Sequence, residues 1–290
     1  VTISGVTAAA VEKGPYRHFM LKEIFEQPTV VAQTLQSYIR PVEEQVALPQ
    51  MDFDLSSIAR ITIVACGTSF YAGMVAKYWF EQFARVPVDI DVASEFRYRN
   101  PVLEPGGLAL FISQSGETAD TLASLRYARA HMQHVLSIVN VPTSSIARES
   151  DGGVYMHAGP EIGVAATKSF TSQLTIFALL GLLLGRIRHL SHSDGRDIIA
   201  EMEKLPDLVA RTLELETQVA AIAKKYARAQ NFLFMGRQAH YPVALEGALK
   251  LKEISYISAS GYPSAELKHG VIALVTEETP SVFIAPQDAV

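Results

Sequence analysis

The stretch Ser113-Gln114-Ser115-Gly116-Glu117-Thr118-Ala119-Asp120-Thr121 holds the densest set of chemical groups in the chain. It follows an apolar run, L-A-L-F-I at 108–112, and leads into a helical pattern over 118–131. Four hydroxyls, one glycine and a helix N-terminus converge there. Such a turn offers an anion backbone N–H groups, the positive helix end and neutral hydroxyl donors. It lacks a lysine and the G-x-x-x-x-G-K spacing, which argues against a nucleotide P-loop. The competing reading is a helix cap built from Ser115 or Thr118 with Glu117. A cap uses one hydroxyl, so the other three favour phosphate. Gly67-Thr68-Ser69 is a second turn of this kind, weak alone because Thr and Ser cap helices routinely. Gly163-Val164-Ala165-Ala166-Thr167-Lys168 is either a third wall of the same pocket or a simple loop.

A second candidate lies in the helical pattern 241–256, Y-P-V-A-L-E-G-A-L-K-L-K-E-I-S-Y. Glu246, Lys250 and Glu253 fall within about 60° of one another at 100° per residue. The rest of the circumference is mostly apolar, which predicts a largely buried helix. The ionic stripe is either a salt-bridge ladder or a catalytic face with a carboxylate tuned for proton transfer. His269, in E-L-K-H-G, is a lone histidine beside charge, and on its own residues it carries a modest case for function. Cys66 has no histidine at a telling spacing and reads as a small buried residue. No His, Cys or Asp cluster has metal spacing, so no metal site is expected.

Short β-branched runs alternating with helical segments must position these groups. Strands are expected at 61–65, 88–92, 108–112 and 135–139, with helices at 69–84, 118–131 and 171–185. That alternation predicts an α/β fold, a parallel sheet with helices on both faces, and ligands at the carboxyl ends of its strands. A second cycle follows: helix 218–229, strand 232–235, helix 241–256 and strand 281–285. Gly67 and Gly236 end the first strand of each cycle. Ala93-Ser94-Glu95 and Ser264-Ala265-Glu266 follow them at closely matched distances. The pattern reads as a duplicated unit whose second copy is incomplete. Upstream, residues 1–15 read as linker, and 15–35 as a helix that Pro28 interrupts or restarts. Pro41 and Pro49 frame a surface connection. The expected division is 1–50, 51–205 and 206–290.

The chain has 290 residues, of which 49% are hydrophobic, with 25 basic and 30 acidic side chains for a net charge of −5. That apolar content excludes a disordered chain, and the acidic balance argues against nucleic acid as partner. One cysteine points to a reducing compartment, the cytoplasm. The longest apolar run, 174–184, is 11 residues, where a bilayer span needs roughly 20. No membrane contact is expected.

Taken together, S-Q-S-G-E-T-A-D-T, C-G-T-S, A-S-E-F-R-Y-R, E-I-G-V-A-x-T-K, A-L-E-G-A-L-K-L-K-E-I-S-Y and E-L-K-H-G occur in the order seen in one family. From about Tyr16 onward the chain closely resembles the isomerase half of the glutamine–fructose-6-phosphate aminotransferases, a pair of sugar isomerase (SIS) domains. The resemblance implies phosphate contacts at Ser113, Gln114, Ser115 and Thr118, with Thr68 and Ser69 nearby. It implies a pocket-wall role for Val164. Ala166 stands where the family can have Ser, at the loss of one hydroxyl contact to the sugar. It implies that Glu253 is the base between sugar C1 and C2, Lys250 its neighbour, and His269 the ring-opening histidine donated across a dimer interface. The implied ligands are fructose 6-phosphate and glucosamine 6-phosphate, with no cofactor. The implied partners are a glutaminase domain and a second copy of the chain. The family's N-terminal glutaminase and the C-terminal tail with its lysine are not in this sequence, so an internal fragment unable to use glutamine by itself is expected. A sugar-phosphate-sensing transcription regulator is disfavoured, because residues 1–50 hold four basic against five acidic residues. A plain sugar-phosphate isomerase or amino-sugar deaminase is harder to separate.

Overall fold

The computed structural model describes residues 11–287. Residues 1–10, most of the expected linker, lie outside the described residues. The chain divides between Ala210 and Arg211 into two compact units. The first begins with helix α1 (Phe19–Tyr38) and two short paired strands, β1 (Ile39–Arg40) and β2 (Gln45–Val46). Then come β3 (Ile61–Ala65), α2 (Gly67–Phe83), β4 (Val88–Val92), α3 (Ala93–Phe96), β5 (Leu108–Ser113) and α4 (Ala119–Ala130). The unit continues with β6 (His134–Val139), α5 (Ser145–Glu149), β7 (Gly152–Tyr155), α6 (Lys168–Arg188) and α7 (His192–Met202). Helix α8 (Leu205–Leu213) contains the division point. The second unit has α9 (Glu216–Tyr226), β8 (Asn231–Gly236), α10 (His240–Ser255), β9 (Ser258–Pro263) and β10 (Ser281–Phe283).

The first sheet is wholly parallel, in the order β4-β3-β5-β6-β7. Its inner strands β3 and β5 are buried at every position because both faces are covered, whereas the edge strand β4 carries Asp89 and Asp91. Ile61, Ile63, Leu108, Leu110, Ile112, Leu136 and Ile138 pack with α1, α2 and α6 on one face. Val64, Ala109, Phe111, Val135 and Val139 pack with Phe96, Leu125 and Ile146 on the other. The 11-residue apolar run lies inside α6, whose 21 residues are long and apolar enough to cross a bilayer by length and composition. Ile176, Phe177, Leu179, Leu180, Leu182 and Leu184 account for that composition, since all are buried in the core.

The second sheet runs β10-β8-β9 and is also parallel. Read from the other edge, β9-β8-β10 repeats the β4-β3-β5 order of the first unit. In each case the first strand is central, the second pairs on one side and the third on the other. That is the duplication expected from the spacing. Two strands had little sequence signal. β7 is G-G-V-Y, with only two β-favouring residues. β9 is S-A-S-G-Y-P, and its Pro263 is tolerated because the strand lies at an edge.

Pro28 does not interrupt α1, which runs through it. A proline inside a helix leaves the carbonyl four residues back without its N–H partner. Here that carbonyl is Ile24, and it accepts from the Gln27 side-chain amide at 3.0 Å. The other end of α1 is fixed by Tyr38. Its hydroxyl accepts from the Tyr155 N–H at 2.7 Å and donates to the Tyr155 carbonyl at 2.8 Å. Burial raises the Tyr38 phenol from 10.0 to about 12. The folded state thus holds the phenol proton more tightly than the unfolded chain. The associated stability is complete below pH 10 and is lost as pH rises toward 12. At about 1.4 kcal/mol per pH unit this comes to roughly 2–3 kcal/mol. Urea titrations between about pH 9 and pH 12, spanning the ordinary tyrosine value and the raised one, check it. Tyr38→Phe is expected to flatten that alkaline decline.

Candidate functional site

Strands β3 and β5 are neighbours in the sheet, so the turns leaving their carboxyl ends meet. Cys66, Thr68 and Ser69 leave β3 at the start of α2. Ser113, Gln114, Ser115 and Thr118 leave β5 toward α4. Glu161, Gly163, Val164 and Ala166, from the loop before α6, close a third side. The resulting cleft is about 240 Å³. The eight residues expected to bind substrate in this unit all line it, and the 163–168 loop is a wall rather than a bystander. Cys66 is corrected by the structure. It is partly exposed and faces the cleft, because it sits where the strand ends and its neighbours open outward.

The β5–α4 turn is held by its own hydroxyls. Ser113 Oγ accepts the Gly116 N–H at 3.0 Å and lies 2.9 Å from Thr118 Oγ1. Ser115 Oγ accepts the Glu117 N–H at 3.2 Å. Thr118 occupies the N-cap of α4 but makes no side-chain cap hydrogen bond, so capping does not consume the hydroxyl cluster. Beneath it, the fully buried Thr121 Oγ1 has no hydrogen-bond partner. Glu117 accepts the Ser145 N–H at 2.8 Å, and that bond holds its carboxyl below the usual range.

Among the described residues lining the cleft, the charged one is Glu161. Its Oε1 accepts the N–H groups of Thr167 and Ser169 at 2.8 and 3.2 Å. An anion in the cleft would meet neutral hydroxyls, N–H groups and the positive ends of two helices rather than lysine or arginine. Among the described residues no group of three His, Cys, Asp or Glu is close enough to hold a metal ion.

The second unit carries the other three candidates. On α10, Lys250 Nζ lies 2.5 Å from Glu253 Oε2 and 3.5 Å from Glu246 Oε1. The Glu246 side chain is 7% exposed, Lys250 17% and Glu253 36%. A solvated ladder would show all three in water; here exposure rises along the stripe toward Glu253. The helix is less buried than its pattern predicts, since Lys252 to Ser255 are exposed, Ile254 included. His269 is exposed at the end of the 3-10 turn Ser264–His269, which follows β9.

The SIS domain family matches residues 54–183 and 225–289, the two repeats of strand order described above. The chain belongs to the SIS domain family. The two SIS regions are also found together in a solved relative. The C-terminal domain of glucosamine-fructose-6-phosphate aminotransferase from Francisella tularensis is 44% identical, with a TM-score of 0.91 over 96% of this chain and 78% of that one. The glutamine–fructose-6-phosphate aminotransferase of Zymomonas mobilis is 58% identical over 99% of the chain, and that of Bradyrhizobium diazoefficiens 54% over 98%. The SIS chain spans about half the length of these curated relatives, 47% in each case.

Gly116 tests the turn at the centre of this SIS cleft. Its φ is +68°, and an added Cβ would clash with Ser144 Oγ. Gly116→Ala is expected to cost about 2–5 kcal/mol, from left-handed strain and overpacking together. Gly106 has a similar φ, +80°, but open space around it, so Gly106→Ala should cost only about 1–2 kcal/mol. Urea denaturation of the two variants measures the difference.

Proposed function

We propose that the chain is the isomerase half of an enzyme that forms glucosamine 6-phosphate from fructose 6-phosphate and glutamine. In this reading residues 51–205 and 206–290 are its two SIS-type domains. The observation that carries the proposal is the hydroxyl-lined cleft at the carboxyl ends of β3 and β5. The names of the aminotransferase relatives support the choice of substrate. The sugar's phosphate is held by Ser113, Gln114, Ser115 and Thr118, with Thr68 and Ser69 across from them. Val164 and Ala166 face the sugar. Anchoring a small flexible substrate by its phosphate turns binding energy into orientation at the reacting carbons.

The chemistry asks little beyond orientation and one mobile proton. His269 assists opening of the fructose ring. Ammonia from a glutaminase domain attacks the C2 carbonyl of the open chain, and water leaves to give an imine. A proton is removed from C1 as the imine nitrogen takes one, which gives the enaminol; a proton is then returned at C2 as the C1 hydroxyl releases its own, which yields the 2-amino aldose. Glu253 serves as carrier from one face, with the Lys250 ammonium 2.5 Å beside it. The working form in this reading is a homodimer in the cytoplasm.

Calorimetry with glucosamine 6-phosphate tests the anchor. Ser113→Ala/Thr118→Ala removes two hydrogen bonds to a charged group, so affinity should fall at least about tenfold. Equal affinity in wild type and variant would remove the assignment.

Glu253→Gln tests the carrier. It keeps size and most hydrogen bonding but cannot accept the proton. Exchange of the C1 proton with deuterated solvent should slow by about 10²–10⁴-fold, or roughly 3–5.5 kcal/mol of barrier. Sugar-phosphate affinity should change far less. Exchange at the wild-type rate would return the stripe to a structural ladder.

A further inference from the structure

The wall loop of the cleft is held in part by its own Glu161, and a second tether reaches it from α1, 139 residues earlier in the chain. Glu23 and Glu26 stand one turn apart on α1, a helix that contributes no residue to the cleft. Glu23 is buried, 2% exposed. Its Oε1 accepts the N–H of Ile162 at 2.5 Å and of Gly163 at 3.0 Å, and its Oε2 lies 3.2 Å from the same Gly163 nitrogen. Glu26 pairs with Lys168 Nζ at 2.8 Å, with the Lys168 side chain 4% exposed. The two carboxylates therefore grip the loop at both ends. Between the grips lie Val164 and Ala166, which face the cleft. Gly163 is flush against the tether: an added Cβ would sit 2.5 Å from Glu23 Oε2.

This arrangement has a chemical cost. A buried carboxylate survives only when its oxygens are bonded, and removing its partners is strongly unfavourable. The N–H groups it takes belong to an irregular segment with no strand or helix to satisfy them. Each side thus needs the other. A core helix could be covered more cheaply by an apolar residue at position 23. The carboxylate's contribution is the position of the loop.

We propose that Glu23 is a positioning residue of the cleft, fixing the backbone at Ile162 and Gly163 so that Val164 and Ala166 form the sugar-facing wall. The proposal rests on the reading of the cleft as a hexose-phosphate site. It divides the labour within that site: the Ser113–Thr118 turn holds phosphate, and the tethered loop recognises the sugar attached to it.

The division sets the test. Glu23→Ala removes both acceptors, whereas Glu23→Gln keeps one oxygen for the two N–H groups. Hydrogen exchange over residues 161–167 reads the tether directly. Calorimetry with glucosamine 6-phosphate and with inorganic phosphate reads its effect on binding. In Glu23→Ala the loop amides should exchange faster while β5 and α4 stay protected. Glucosamine 6-phosphate should bind at least about tenfold more weakly, with inorganic phosphate nearly unchanged, and Glu23→Gln should recover most of the loss. Unchanged loop exchange would overturn the tether. Equal loss of both ligands would overturn the division of labour and reduce Glu23 to a stabilising contact. A wild-type chain that binds inorganic phosphate with no gain from the sugar would count against the hexose-phosphate reading, while loop exchange still decides the tether.

Discussion

The candidate site depends on one side-chain hydrogen bond, Ser113 Oγ to the Gly116 N–H. It folds the chain back within three residues of a buried strand. Gly116 can take the left-handed conformation this requires, and its missing Cβ leaves room for Ser144. The same oxygen meets Thr118, which brings the N-terminus of α4 over the turn. Because β3 is the neighbour of β5, the Thr68–Ser69 turn arrives at the same place through sheet register alone. The parallel sheet supplies the rest: its carboxyl ends collect the turns, and its two buried faces hold them still.

The cleft's electrostatics follow from what is missing as much as from what lines it. Fixed lysines or arginines would attract any phosphate strongly and hold it in many orientations. Hydroxyls and N–H groups are directional and uncharged. They favour an anion that fits their geometry, and they cost less to keep empty. The charged lining residue, Glu161, is spent on the backbone of its own loop. Glu23 does the same work from α1. Two carboxylates beside the cleft thus act on backbone N–H groups. A set of contacts this dispersed relies on a rigid frame, and α1, remote in sequence, joins that frame by burying Val30, Val31, Leu35 and Tyr38 in the core of the first unit.

Much of this was legible in the sequence, for reasons that differ by element. Continuous apolar runs such as I-T-I-V-A mark strands covered on both faces, and their end glycines mark the turns. The repeated order of strand, helix, strand and small-residue turn gave away the duplication. β7 and β9 escaped because glycine, serine and proline dominate them, and edge position rather than composition makes them strands. Pro28 misled because its effect depends on whether another donor reaches Ile24, and Gln27 is that donor. Thr118 was ambiguous between cap and ligand; only geometry separates a hydroxyl that caps from one that does not. Glu23 and Glu26 read as the polar side of an ordinary helix. Their partners lie about 140 residues away, and no local pattern encodes that distance.

The central claim is that the turn between β5 and α4 is the phosphate anchor. A crystal structure of the chain with glucosamine 6-phosphate tests it most directly. The account predicts phosphate oxygens within hydrogen-bond distance, about 2.7–3.2 Å, of Ser113, Ser115 and Thr118, with the sugar against Val164 and Ala166. A phosphate bound elsewhere, with the Ser113–Thr118 turn unchanged and facing solvent, would contradict it.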